Sequence, residues 1–422
     1  MQYNFPYANI PGLQIPARNE TRIYEVRADS EPEEPSRLIE QSLARPIGMD
    51  RFSKILKPSS KVLLIVDDIS RPTPVRLILP PLLAELALAG VPAANIKLLI
   101  ALGTHRPMTP AEIEQKVGPE IARNYPVLNH EWDNPDALHD YGRLEDGTPV
   151  ILNKQMALAD FVIGIGSIAP HPAAGFSGGG KIIAPGVATE AAVGDFHWKS
   201  VHFPEREVLG VRDNPMRRII DAIAAKAGLS AIVNVVADGR QRIVKVVTGD
   251  PVQAHRVGCE YALNLFGVTV DPDWGVEIYI ADSHPMDQEM WQAVKGMCAL
   301  DVVAPDGAVA ILVTPCPEGV SQMHPEILKY GYVSLAEADR LIREENLSKV
   351  AAHNMVQGGR LVRRTHAFLV SPGVSAAEAA QLGFRSFATP QEALEAALRL
   401  KGERAKIAIL RLGGDLCPIV RK

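Results

Sequence analysis

The sequence predicts an α/β fold: two α/β domains with largely parallel sheets and an interdomain active-site cleft. Three observations carry that expectation. Apolar runs of strand length recur, KVLLIV at 61–66, IKLLIALG at 96–103 and DFVIGIGSI at 160–168, and each ends in a polar loop. Helical stretches rather than tight turns separate them, as parallel strands require. After residue 276 the rhythm restarts with VEIYIADS, AVAILVTP and THAFLVSP, so a second domain of the same class is expected. A chain of 422 residues is long enough for two or three domains, each with its own core.

The elements follow in order. Residues 1–60 form a proline-containing lead-in whose charged stretch ADSEPEEPSR, 28–37, reads as exposed. The first strand, from Lys61, delivers the loop DDISRPTP, and PVRLILPPLLAELALAG then reads as a helix interrupted or entered at Pro80 and Pro81, where ring and missing donor disturb the ladder. The second strand, IKLLIALG, runs into Thr104 and His105. Thr109, Pro110 and Glu112 next make a helix start with a capping box. Further on, AIVNVVADGRQRIVKVVTGD, 231–250, reads as two strands across Asp238-Gly239, a hairpin signal, followed by the helix PVQAHRVGCEYALNLFG. In the second domain, helices are expected around MDQEMWQAVKGMCAL, at SLAEADRLIREE and at PQEALEAALRLKG, with a short strand FRSFAT. The last apolar segment, KIAILRLGGDLCPIV, fits either domain by pattern.

Composition excludes several function classes. A formal net charge of -5 and a pI near 6.2 give no basic footprint for nucleic acid. The apolar runs fall far short of the ~20 residues that cross a bilayer, so no membrane partner is expected. The start, MQYNFPYANIPGLQIP, is proline-broken and lacks the charged and apolar regions of a secretion signal, which points to the cytoplasm. Cys259, Cys298, Cys316 and Cys417 lie far apart without C-x-x-C spacing, and read as buried thiols rather than disulfides or a zinc site.

The chain is organised around residues 160–199, where a strand is followed by His171, the glycines 175 and 178–180, Lys181, Pro185 and His197. Two imidazoles and an amine gathered about glycines that let backbone approach a ligand read as a cofactor site. Two other readings compete for these residues. Gly164, Gly166 and Ala169 match a dinucleotide fingerprint, but Pro170 and Pro172 stand where its helix should begin. Gly175 to Lys181 match a phosphate loop, which would make the protein a nucleotide-dependent kinase or hydrolase using Lys181. Ile182, however, replaces the Ser or Thr that binds magnesium.

His171, Lys181 and His197, framed by AGFSGGGK and APGV, resemble the nickel-pincer lactate racemase family, and further motifs agree with it. These are Asp68, Ile69, Ser70 and Arg71 of DISRP, His105 after the second strand, and Gln292 and Lys295, three apart on one helix face. The resemblance spans nearly the whole chain. It implies a 2-hydroxy acid racemase or epimerase acting by hydride transfer through a 2-keto acid. The implied cofactor is the nickel-pincer nucleotide, Ni(II)-pyridinium-3,5-bisthiocarboxylic acid mononucleotide, attached covalently at Lys181, with His197 as the protein's nickel ligand. His105 and His171 would be the paired acid/base groups. Residues 68–71 and Gly178, Gly179, Gly180 would line the cofactor, and Arg71, Gln292 and Lys295 would hold the substrate. Its implied partners are enzymes that make the cofactor and insert nickel. The resemblance favours return of the last segment to the first domain, giving domains of 1–270 plus 405–422 and of 275–400. Two departures stand out: His353-Asn354-Met355 where the family usually has a tryptophan, and Trp291 where a tyrosine is common.

Overall fold

The structure, a computed structural model, describes residues 1–26 and 33–420. Half of the charged stretch expected to be exposed, residues 28–32, lies outside them. The chain forms two compact units. One, here the Lys181 unit, is Ala28–Phe196 with Val211–Leu265; the other, the Lys295 unit, is Met1–Arg27, His197–Gly210 and Phe266–Lys422.

The Lys181 unit is built on a six-stranded sheet in the order Ile243–Gly249, Leu229–Ala237, Phe161–Ser167, Val62–Asp67, Ile96–Ala101, Val127–Asn129. All neighbours are parallel except the outer pair Leu229–Ala237 and Ile243–Gly249, the expected hairpin. Val62–Asp67 is buried at every position, as a central parallel strand covered on both faces must be. From it the chain steps outward to Ile96–Ala101 and Val127–Asn129, then crosses back to place Phe161–Ser167 on its other side. This reversal of order is the point where open α/β sheets bind ligands, at the carboxyl ends of the strands.

Helix Val75–Leu88 runs through Pro80 and Pro81 rather than breaking there. Two ladder bonds are forgone, and burial of Val75, Ile78, Leu79, Leu82 and Leu86 against the sheet offsets the loss. At Thr109 the capping box forms as expected, with the hydroxyl and Glu112 bonding reciprocally to each other's backbone N–H.

The Lys295 unit holds a second six-stranded sheet, wholly parallel, in the order Arg385–Phe387, His366–Val370, Val309–Val313, Ile278–Asp282, Ile407–Leu410, Thr21–Tyr24. Alternate residues enter different cores: Tyr279 and Ala281 pack with Met297 and Leu312, Ile278 and Ile280 with Leu394. Here the domain expectation is corrected. Residues 407–410, assigned above to the first domain, are an inner strand of this sheet, and 21–24 form its edge. The physical reason is legible in burial. Ile407–Leu410 is buried throughout and needs a strand on each side, whereas the half-exposed Thr21–Tyr24 suits an edge. Gly267–Val270 likewise pairs with Cys417–Val420, and 197–210 also belongs to this unit.

Helix Lys349–Arg364 has no counterpart in the sequence reading, because the pair Gly358-Gly359 argues against a helix interior. Close packing explains both glycines. A Cβ on Gly358 would lie 2.4 Å from the Tyr332 ring, and one on Gly359 2.0 Å from the Val333 carbonyl. No described helix is long and apolar enough to cross a membrane. All four cysteines are free and buried.

Candidate active site

Three loops leave adjacent strands of the Lys181 unit at matched levels, since Asp67 pairs with Ala101 and Val66 with Ile165. The middle loop is Asp68–Arg71. Asp68 accepts hydrogen bonds from the Ser70 backbone N–H at 3.1 Å and the Ser70 hydroxyl at 2.5 Å through one oxygen. Its other oxygen lies 2.5 Å from Nδ1 of His105, at the next strand end. Burial alone would raise the Asp68 carboxyl. The bonds from His105 and Ser70 and the Arg71 charge outweigh it and hold the group below the ordinary carboxylate value. Asp68 is therefore ionised at neutral pH, the His105 proton is assigned to Nδ1, and Nε2 is left as an acceptor. The imidazole is half exposed, and its Nδ1 side is the anchored one.

Lys116, on helix Pro110–Val117, escaped the sequence reading because it looks like one solvated charge of EIEQK. It is buried, donates to the carbonyls of Asp68 at 2.7 Å and Arg71 at 2.9 Å, and pairs with Asp67 at 2.7 Å. One ammonium thus closes the DISR loop from beneath. Lys116→Met should cost ~3–5 kcal/mol in chemical denaturation, because it strands the buried Asp67 carboxylate, and should loosen Asp68 and Arg71 together. An unchanged denaturation midpoint would contradict this role.

The third loop, 168–187, carries His171 and Lys181. Pro170–His171 pairs back on Gly175–Phe176, and Ser177 ties the turn by donating to the Ser167 carbonyl at 2.8 Å. Nδ1 of His171 accepts the Ala173 backbone N–H at 3.1 Å, so the proton of the neutral ring is assigned to Nε2. The Lys181 carbonyl accepts the Gly186 N–H at 3.3 Å, and the Gly186 carbonyl accepts that of Gly103 at 2.8 Å. A short chain of backbone bonds therefore joins the turn of Lys181 to the loop of His105.

The glycines of this loop are also tightly packed against their own unit. A Cβ on Gly178 would meet Ile168 at 2.7 Å, on Gly179 the His255 ring at 2.8 Å, and on Gly180 Ala224 at 2.8 Å. Their smallness serves the packing of the loop onto its own unit. Three buried polar side chains grip it there. Asn234 accepts the Gly179 N–H at 2.8 Å, His255 bonds the Ser177 carbonyl at 2.9 Å, and Arg217 donates to the carbonyls of Phe176 and Gly178. None of the three was singled out from sequence, since each lies 39 to 78 positions from its partner in no motif. After Gly178 comes a 3-10 turn, Gly179–Ile182, and not the α-helix on whose amino terminus a phosphate loop relies.

In the Lys295 unit, His197 sits in the last turn of helix Glu190–Ser200, half buried, and its ring meets that of His353 edge to face, with centroids 5.0 Å apart. Burial pushes the His353 imidazole well below its ordinary pKa, so it is neutral. The segment after His197 is held by Arg360, which donates to the carbonyls of Val201 at 2.5 Å and Phe203 at 2.9 Å and pairs with buried Glu205 at 2.9 Å. Gln292 and Lys295 lie in the first two turns of helix Met290–Val303, Gln292 exposed and Lys295 half buried. Burial raises the Asp415 carboxyl, an effect opposed by the Lys295 and His284 charges. An open cleft of about 520 Å³ in this unit lies at the amino-terminal ends of strands His366–Val370 and Arg385–Phe387 and holds none of these residues.

Comparison with known proteins agrees with this architecture. Residues 9–208 match the lactate racemase N-terminal domain, and 275–416 the lactate racemase C-terminal domain. A lactate racemase of Thermoanaerobacterium thermosaccharolyticum is 32% identical over 322 residues, 76% of this chain and 73% of that protein. One from Lactiplantibacillus plantarum is 30% identical over 382 residues, 88% of each. The structure of a lactate racemase apoprotein from T. thermosaccharolyticum superposes with a TM-score of 0.90 at 27% identity, covering 100% of both chains. A Thermotoga maritima protein shares the fold, with a TM-score of 0.69 at 22% identity over 94% of this chain and 100% of that one. The carboxyl-terminal match takes in Ile407–Leu410, in accord with the strand order of the second sheet. This chain belongs to the lactate racemase family of isomerases.

Proposed function

We propose that the protein racemises or epimerises a 2-hydroxy acid, with a nickel-pincer nucleotide bound through Lys181 and His197. Lactate, for which its relatives are named, is the smallest chiral candidate. The observation that carries the proposal is the Asp68–His105 pair at a sheet switch point, which fixes an acceptor nitrogen on a loop beside the one bearing His171 and Lys181.

The residues present suit the cofactor. Lys181 provides an amine on a turn tied at both ends, as a covalent tether needs. Among the described residues no three His, Cys, Asp or Glu side chains converge on one ion. His197 offers one imidazole donor, which matches a metal whose sulfur and carbon ligands come with the bound group. When bound, that group supplies a carbon that accepts hydride from C2 and returns it, so that the substrate passes through a flat 2-keto acid.

The chain's own part is proton handling and orientation. An α-hydrogen beside an ionised carboxylate is poorly acidic, so the protein need only move the hydroxyl proton. Nε2 of His105 takes it, and ionised Asp68 stabilises the resulting imidazolium. His171 is held in the opposite tautomer, and its Nε2–H would donate a hydrogen bond to the substrate oxygen, stabilising the alkoxide until the proton held by His105 returns to it. Two histidines in complementary tautomers suit a reaction that serves both faces of one carbon. Arg71, Gln292 and Lys295 are assigned to the substrate, the two cations for its carboxylate. Enzymes that make the cofactor and insert nickel are the partners this chemistry needs, and the cytoplasm is its proposed compartment.

The test uses protein produced together with the cofactor-synthesising enzymes and assayed for nickel. Enantiopure 2-hydroxy acids, lactate included, are incubated with it and followed by chiral chromatography. Interconversion of either enantiomer into the other is expected. Protein with stoichiometric nickel that interconverts none of them would overturn the proposal.

A further inference from the structure

Helix Lys349–Arg364 is buried from Ala351 through Gly359, mostly with small and apolar residues, yet His353 and Asn354 stand within that stretch at 8% and 3% exposure. Each touches a segment to which the proposed function gives a role. His353 packs against the His197 ring. Asn354 donates at 2.9 Å to the carbonyl of Trp291, the residue before Gln292 on the helix that carries Lys295. Their remaining polar atoms, Nε2 of His353 and Oδ1 of Asn354, are buried with no hydrogen-bond partner.

Such groups are costly to leave unmade, and native proteins satisfy nearly all of them. Elsewhere the same helix does so. One turn on, Gln357 donates to Glu205 at 3.0 Å. On the helix itself, among the described residues, the unpaired side-chain atoms fall in the turn that meets His197 and Trp291. An amide oxygen can only accept, whereas a neutral imidazole nitrogen can donate or accept, depending on its tautomer. A hydroxyl group, which does both, can satisfy either atom. A carboxylate suits the pair poorly, since it would face the amide oxygen acceptor to acceptor.

Resting on the 2-hydroxy acid reading above, we propose that His353 and Asn354 are specificity-determining residues that hydrogen-bond a hydroxyl on the substrate beyond C2. The preferred substrates are then hydroxylated 2-hydroxy acids, of which 2,3-dihydroxypropanoate is the smallest and sugar-derived acids are larger members. Lactate, with a methyl group at that place, leaves both atoms unpaired. A site built to bond a hydroxyl discriminates strongly against the analogue that lacks it.

The experiment compares glycerate, lactate and malate on nickel-loaded protein, by kcat/KM for inversion at C2 and by dissociation constants from calorimetry. Glycerate is expected to exceed lactate by ~10–100-fold. His353→Phe and Asn354→Leu should each erase most of that margin by lowering the glycerate value much more than the lactate value. Lactate as the best substrate of the unmodified protein would overturn the inference whether or not the variants fold, and malate as the best would overturn the hydroxyl assignment. Equal losses on glycerate and lactate in both variants would mark a structural role instead. Failure on every 2-hydroxy acid at full nickel occupancy would strike the proposed function itself, and a hydroxyl preference among acids that do react separates the two.

Discussion

Lys181→Ala protein, made alongside the cofactor-synthesising enzymes, should show the unmodified mass of the chain and no racemisation. A covalent bond to the nucleotide needs an amine, and alanine provides none. The loss should be complete rather than graded, because no step remains for which the chain alone can supply a hydride acceptor. His197→Ala should separate tether from metal: the mass increment stays while nickel content falls. The Lys181 turn is closed by backbone bonds to Gly178 and Gly186 that do not involve its side chain, and these bonds remain in the variant. An adduct of undiminished mass in Lys181→Ala, found on another lysine, would refute the attachment site.

His105→Ala and His171→Ala should each reduce interconversion by ~10²–10⁴-fold in both directions, with adduct and nickel retained, because one turnover uses both imidazoles. Asp68→Asn is the sharper variant. It keeps the shape of the Asp68–His105 contact but lets an amide N–H face Nδ1, which moves the imidazole proton to Nε2, the position that must be vacant. A fall of similar order is expected, in kcat rather than KM, with nickel content unchanged. Near-parent activity in Asp68→Asn would show that the 2.5 Å contact does not set the tautomer that matters.

Much of this protein was legible in its sequence because the relevant physics is local. Buried parallel strands announce themselves as short, uninterrupted apolar runs, so Val62–Asp67, Ile96–Ala101, Phe161–Ser167 and Ile278–Asp282 fell where expected. The Thr109 cap and the hairpin near Asp238 follow from side chains bonding to backbone a few positions away. The candidate residues 68–71 and 105 follow strand ends, and 171, 181 and 197 lie within one continuous stretch of sequence.

Tertiary structure decided what depends on neighbours remote in the chain. Whether Ile407–Leu410 joins one sheet or the other is invisible in its own four apolar residues, because any strand buried on both sides reads alike until its partners are known. The glycines at 178–180 read as places where backbone can approach a ligand, and only the positions of Ile168, His255 and Ala224 show that their smallness also serves packing within the unit. Lys116 reads as a solvated charge, and only burial beneath the Asp68 and Arg71 carbonyls makes it a clamp. The tautomers of His105 and His171, and the unsatisfied atoms of His353 and Asn354, are likewise properties of hydrogen-bond partners. A sequence fixes which donors and acceptors exist, but folding alone determines which of them meet.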